Sequence, residues 1–270
     1  MIKKNHESKH KPVKVCYDLY MFERFHSQLA LYIDLVKCLH WLICGNSGSG
    51  KSYMLLFVLR NILAEFQKDI KVWFCDFKSS EDFSFMNGYS HYYTGADCAR
   101  GLEEFYTEYQ QVKNGTIRDG LIRLIIFDEW AGFMVYETQK NKKQAEQYKG
   151  WLLEVLLMGR SMLCGVWVVM QRNDAKYIEG REQFFVTVAL GKMSREMKLM
   201  IMQGEELKQR EVYACGEGII RCDTFGTKFI KVPKLRDVNL VKQQIMDCLM
   251  QADDAEGGGG EASGHGTPTA

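Results

Sequence analysis

The sequence predicts an α/β fold: a mostly parallel sheet covered by helices on both faces, with a C-terminal β-hairpin. Two observations predict it. Apolar runs of strand length alternate along the chain with stretches of helical periodicity, the pattern that builds βαβ units. The first of those runs leads into a Gly-rich segment that itself opens a helical pattern.

Taken in order, the start "MIKKNHESKHKPVK" carries five lysines and little apolar content. Residues 1–16 therefore read as a flexible basic arm, either a solvated leader or a nucleic-acid contact. Residues 17–250 read as one domain without an internal repeat. Its strand-like runs are "HWLIC", "IKVWFCD", "LIRLIIFD", "CGVWVVM" and "FFVTVAL". Helical patterns cover residues 51–66, about 96–113, about 142–159 and about 194–203. The segment "GEGIIRCDTFGTKFIKVP" reads as an antiparallel hairpin, with Gly226 in the turn region and Pro233 at its end. Residues 251–270 are acidic and then Gly-rich, the composition of a disordered tail.

Composition narrows the function classes. A chain of 270 residues with 46% hydrophobic content can bury one large α/β core. The net charge of +1 means that a polyanion must be held by local patches, not by an overall field. Nine cysteines occur without a C-x-x-C pair, as expected of reduced, buried thiols in a cytosolic protein. Cys215 and Cys222 have no matching second pair, which speaks against zinc. No stretch reaches the roughly 18 uncharged apolar residues that span a bilayer. The candidates are interrupted by Asp34 and Lys37, by Asp128 and Glu129, or by Glu154 and Arg160. A soluble, cytoplasmic protein with no direct membrane insertion is expected.

The chemistry is concentrated at three strand ends. In "ICGNSGSGKSY", residues Gly45 to Ser52 fit G-x-x-x-x-G-K-[ST], between an apolar strand and a helix. Gly45, Gly48 and Gly50 let the backbone curl, so that N–H groups of Asn46, Ser47, Ser49 and their neighbours up to Tyr53 can meet phosphate oxygens. The helix N-terminus adds partial positive charge. Lys51 is expected on the β- and γ-phosphates of ATP, and Ser52 on Mg²⁺. In "LIRLIIFDEWAGFM" the strand ends in Asp128, the expected water-mediated Mg²⁺ carboxylate. Glu129 follows it, where a carboxylate can polarise the attacking water, which points to hydrolysis. In "GVWVVMQRND" Gln171 ends a third strand, as a simple terminator or as a γ-phosphate sensor. The succession of loop, DE-ending strand and Q-ending strand is that of a RecA-like P-loop NTPase.

These segments resemble a family. "HWLICGNSGSGKS", "CDFK", "LIIFDEWAGFM" and "GRSMLCGVWVVMQR" are similar to the motor domain of the FtsK/SpoIIIE DNA translocases, in the wider FtsK–HerA group. The family pattern has G-T-T-G-S-G-K-S, I-D-P-K, V-D-E-F-A-D-L-M and A-R-A-A-G-I-H-L-V-L-A-T-Q-R-P. The resemblance runs from about residue 35 to 235. It departs where "DFK" replaces D-P-K and where Asn173 replaces the proline after Q-R. Neither a membrane segment nor a DNA-orienting winged helix is seen, so a compact motor of a plasmid, phage or conjugative element is expected.

The resemblance implies a hexameric ring with DNA in its pore, gripped without sequence preference through the phosphate backbone. The segment "YETQKNKKQAEQYKG", with Lys140, Lys142, Lys143 and Lys149, is either such a grip or a solvated helix face; "FKSSEDFSF" is a second candidate. Tyr92–Tyr93 and His40 read as structural. Arg195, in a segment similar to the family's S-S-K-x-D-S-R-T, is the expected trans-acting arginine finger, with Arg160 and Arg172 as alternatives. A relaxase, a replication initiator or a membrane channel is a further expected partner. Two other functions stay open: a coupling or packaging ATPase that delivers nucleoprotein to a membrane channel, and a non-motor P-loop regulatory ATPase.

Overall fold

The computed structural model describes residues 10–171, 177–194 and 213–257. Strand β1 (Val13–Asp18) leads through helix α1 (Leu19–Phe25) to β2 (Ala30–Ile33). Then come β3 (Trp41–Gly45), α2 (Lys51–Phe66), β4 (Ile70–Asp76), β5 (Tyr92–Thr94) and α3 (Cys98–Lys113). Strand β6 (Ile122–Asp128) is followed by α4 (Trp130–Lys140), α5 (Lys142–Met158), β7 (Cys164–Met170) and β8 (Val186–Leu190). The chain closes with β9 (Glu217–Cys222), β10 (Gly226–Lys231) and a helix, α6 (Val238–Gly257).

One ten-stranded sheet has the order β2-β1-β10-β9-β8-β3-β7-β6-β4-β5. From β8 to β5 every pairing is parallel, so the C-terminal ends of β3, β7, β6 and β4 share one edge. On the other side β9, β10, β1 and β2 pair antiparallel. The parallel strands are apolar throughout because both faces are covered. Trp41, Ile43, Leu124, Ile126, Trp167 and Val169 join the core beneath α2 and α6. Their neighbours Leu42, Cys44, Ile125, Phe127, Val166 and Val168 join the core beneath α3, α4 and α5. Alternation along a strand thus feeds two cores.

Two boundaries differ from expectation, and one pair of strands takes an unpredicted place in the sheet. Strand β1 begins at Val13, inside the stretch read as an arm, with Val13, Val15 and Cys16 buried. The intervening Lys14 masked the alternation of a strand. Helix α6 runs on to Gly257, past the expected boundary at 250. Strands β9 and β10 pair from Gly226↔Cys222 to Lys231↔Glu217, but they lie inside the sheet, between β8 and β1. The helix expected over about 194–203 falls almost wholly outside the described residues. No helix among the described residues is long and apolar enough to cross a membrane.

Candidate functional site

The loop of residues 45–50 joins β3 to α2, and its geometry follows from its glycines. Gly48 and Gly50 have φ of 75° and 102°, left-handed values that glycine adopts without strain. A Cβ at Gly50 would meet the Gly216 backbone nitrogen at 2.9 Å, because Gly216 N–H donates to Ser49 O at 2.9 Å. The turn before β9 therefore packs directly on the loop. Gly50 caps α2 with no side-chain acceptor, so the first-turn N–H groups are left for an anion at the helix end. Lys51 Nζ donates to Gly45 O at 2.6 Å and to Asn46 O at 3.0 Å, which fixes the ammonium across the curl. Burial, and then the charge of Lys78, lower the Lys51 pKa.

Beside the loop lies a cleft of about 380 Å³ whose walls include Lys51, Ser52, Lys78, Asp128 and Gln171. Strand β7 runs between β3 and β6, which brings Gln171 between the loop of residues 45–50 and Asp128. Ser47, Gly48 and the half-exposed Tyr53 line the same cleft. So does Cys215, on the turn that packs against Gly50. Cys222 ends β9 and approaches Cys38, Sγ to Sγ 3.8 Å.

Asp128 sits opposite Asp76 in the β4–β6 register. Burial, and then the charge of Asp76, push the Asp128 pKa up to about 7. Asp76 is raised as well, chiefly by burial, and its Oδ1 is buried without a hydrogen-bond partner. A buried and a half-buried carboxylate at one strand edge suit a cation. Mg²⁺ fits this donor set, Asp128 with the Ser52 hydroxyl, because it binds through one or two protein oxygens with phosphates and waters completing its shell.

Glu129 takes a left-handed φ of 67° as the N-cap residue of α4, and its side chain is paired with Lys78. Gly132 makes room for it: a Cβ there would stand 3.2 Å from Glu129 Cγ and 3.3 Å from the Phe77 ring. Sequence reading missed Asp76 and Lys78 as site residues, although "CDFK" at a strand end was the available signal.

Other candidates lie elsewhere. His40 is buried before β3, at the opposite edge of the sheet, where its Nδ1 accepts from Val166 N–H at 3.2 Å. Burial lowers its pKa to about 4. Tyr93 is buried and the Tyr92 hydroxyl donates to Asp76 at 3.2 Å, so this pair serves the sheet edge. Arg160 precedes β7, with its guanidinium 5.0 Å from the Phe185 ring centroid. Arg195 and Arg172 lie outside the described residues.

With this geometry in hand, known proteins can be set beside it. No family model matches the sequence. An FtsK domain-containing protein of Bacillus subtilis, YdcQ, is 29% identical over 175 residues, 58% of this chain. Over those residues the chain resembles an FtsK domain-containing protein. It spans 35% of that relative's length. In fold the chain matches EssC (ATPases 2 and 3) from Geobacillus thermodenitrificans, at 12% identity and TM-score 0.65 over 92% of this chain and 50% of that one. It matches equally the pCW3 conjugation coupling protein TcpA with ATPγS, at 17% identity and TM-score 0.65 over 90% of this chain and 71% of that one. These likenesses establish an α/β fold shared with those proteins.

Proposed function

We propose that this FtsK-like chain hydrolyses ATP and couples hydrolysis to movement of DNA through a ring of identical subunits. The observation that carries the reading is the convergence of Lys51, Ser52, Asp128 and Gln171 on one cleft, with Glu129 adjoining it. In this reading the loop N–H groups and Lys51 hold the phosphates. Ser52 and Asp128 hold Mg²⁺, whose chemistry is to neutralise charge on the β- and γ-phosphates. Glu129 accepts the proton of the attacking water. Gln171, at the end of the strand between the two motifs, orients that water or senses the γ-phosphate. Likeness to an FtsK-domain protein and to a conjugation coupling protein supports DNA as cargo. The ring is read as a hexamer working in the cytoplasm, with a relaxase, a replication initiator or a membrane channel as its further partner.

A second reading has its own support. The fold also matches the type VII secretion ATPase EccC of Thermomonospora curvata, at 15% identity and TM-score 0.60, over 87% of this chain and 31% of that one. There the cargo would be a polypeptide. ATPase rates with and without duplex and single-stranded DNA separate the two. Stimulation by DNA, together with displacement of a triplex strand from duplex DNA, is expected of the translocase. A rate indifferent to DNA would remove it.

A further inference from the structure

We infer that Lys78 is a sensor of the terminal phosphate, a positioning residue that holds Glu129 and releases it when a nucleoside triphosphate takes the ammonium. The inference rests on the ATPase reading above and assigns its regulation. Three observations carry it.

The first is that Lys78 touches two functions at once. Its ammonium pairs with the Glu129 carboxylate, and the same side chain lines the cleft with Lys51, Ser52 and Asp128. Among the described residues no other cation lies within ion-pair distance of Glu129. Glu129 is buried, its side chain 11% exposed, whereas the Lys78 side chain is 40% exposed. A buried carboxylate depends on its partner far more than an exposed lysine does.

The second is that the Lys78 backbone is held while its side chain is free to swing. Asp76 builds the turn, its Oδ2 accepting from Ser80 N–H at 2.7 Å while its carbonyl accepts from Ser79 N–H at 3.1 Å. Phe77 N–H donates to Asp128 O at 3.2 Å, and its ring packs on Phe133 and Tyr136 of α4. Both neighbours of Lys78 are pinned, Ser79 with a left-handed φ of 53°. A four-carbon stem on a fixed backbone can serve either of two anions on its two sides.

The third is charge. Asp76, Asp128 and Glu129 face Lys51 and Lys78 around one cleft edge, and Lys51 is already bound to the loop carbonyls. A terminal phosphate adds negative charge beside Lys78, while a diphosphate lacks the group that reaches it. Glu129 and the terminal phosphate therefore compete for one ammonium, and Glu129 becomes available to water only when the phosphate is present.

The test is a double-mutant cycle read by calorimetric binding of ADP and ATPγS with Mg²⁺ to the full chain. Lys78→Ala and Lys78→Gln should each weaken ATPγS about tenfold or more, the loss of one charge-assisted hydrogen bond, and change ADP by less than about twofold. Lys78→Arg should restore most of the discrimination. Glu129→Gln should tighten ATPγS when Lys78 is present, and lose that gain when combined with Lys78→Ala. An unchanged ATPγS/ADP ratio in both Lys78 variants overturns the inference, as does an effect of Glu129→Gln that is the same with and without Lys78. Those outcomes leave the ATPase reading standing. Failure of the unmodified chain to bind either nucleotide would remove both.

Discussion

Asp128 and Glu129 are adjacent in sequence but differ in surroundings, and so should differ in function. Asp128 ends a strand against Asp76, while Glu129 begins a helix against Lys78. Asp128→Asn should weaken Mg²⁺-dependent nucleotide binding. Glu129→Gln should keep Mg²⁺ and ATP bound and turn over slowly, because an amide cannot take the proton. Mg²⁺ titrations of binding and turnover that coincide for the two variants would refute this division. Asp128 also makes stability depend on pH. Its pKa lies at about 7 in the fold, against an ordinary 3.8, so the folded chain binds its proton more tightly than the unfolded one. Its contribution to stability is therefore lost as pH rises from about 4 to about 7, and the loss is complete above that. Asp128→Asn carries no such charge. Without nucleotide, its Tm relative to the unmodified chain should climb across that window and then level. A difference that stays constant in melts at about pH 4.5, 6 and 8 would show that Asp128 does not titrate there.

At the scale of elements, the approach of helix to sheet sets the tolerance of each position. Gly101 lets α3 lie close on β4 and β5: a Cβ there would stand 2.5 Å from the Tyr93 ring and 2.9 Å from Cys75 Sγ. Alanine favours helices by about 1 kcal/mol over glycine, yet here it overpacks a rigid aromatic. Gly101→Ala should thus destabilise by about 1–3 kcal/mol in urea unfolding, and a neutral or stabilising result would disprove the close approach. The corner between α4 and α5 makes a different case. Asn141 Oδ1 accepts from Lys143 and Gln144 N–H at 3.1 and 3.3 Å, turning the chain sharply between the helices. Lys140, Lys142 and Lys143 stand exposed there, Lys140 at 4.0 Å from Glu137, and the less exposed Lys149 is paired with Glu146 at 2.9 Å. If this corner grips phosphates, neutralising the three exposed lysines should lower DNA-stimulated ATPase more than basal ATPase, and reduce the salt dependence of DNA binding. Unchanged stimulation would return the corner to a solvated surface.

For the whole molecule the decisive question is whether a site is completed by a neighbour. On the proposed reading Lys51 and Mg²⁺ would cover part of the phosphate charge, and phosphoryl transfer gains from a further cation, often one donated in trans. We propose Arg195 for that role, on its resemblance segment alone. Arg195→Ala and Lys51→Ala subunits should each be inactive. Mixed rings should recover partial ATPase, because some interfaces then join an intact loop to an intact arginine. Rings shown to be mixed that regain nothing, or an active Arg195→Ala protein, would exclude Arg195, leaving Arg160 and Arg172.

That the loop of residues 45–52, Asp128, Glu129 and Gln171 lie at strand ends was readable from sequence because each signal is local: a motif of fixed spacing, or a polar residue ending an apolar run. The parallel half of the sheet was readable for the same reason, since strands buried on both faces are apolar at nearly every position. Strand β1 was not, because Lys14 between Val13 and Val15 resembles a charged leader until the partner strand is known. Neither was the place of β9 and β10 within the sheet, which depends on pairing with β8 and β1 across distant sequence. The pairing of Lys78 with Glu129 belongs to the same class. Those two residues are 51 positions apart, and only the β4–β6 register, Asp76 against Asp128, sets them side by side. Local chemistry singled out which residues are candidates for the site. Long-range strand pairing, which no local pattern encodes, decided which charges meet in it.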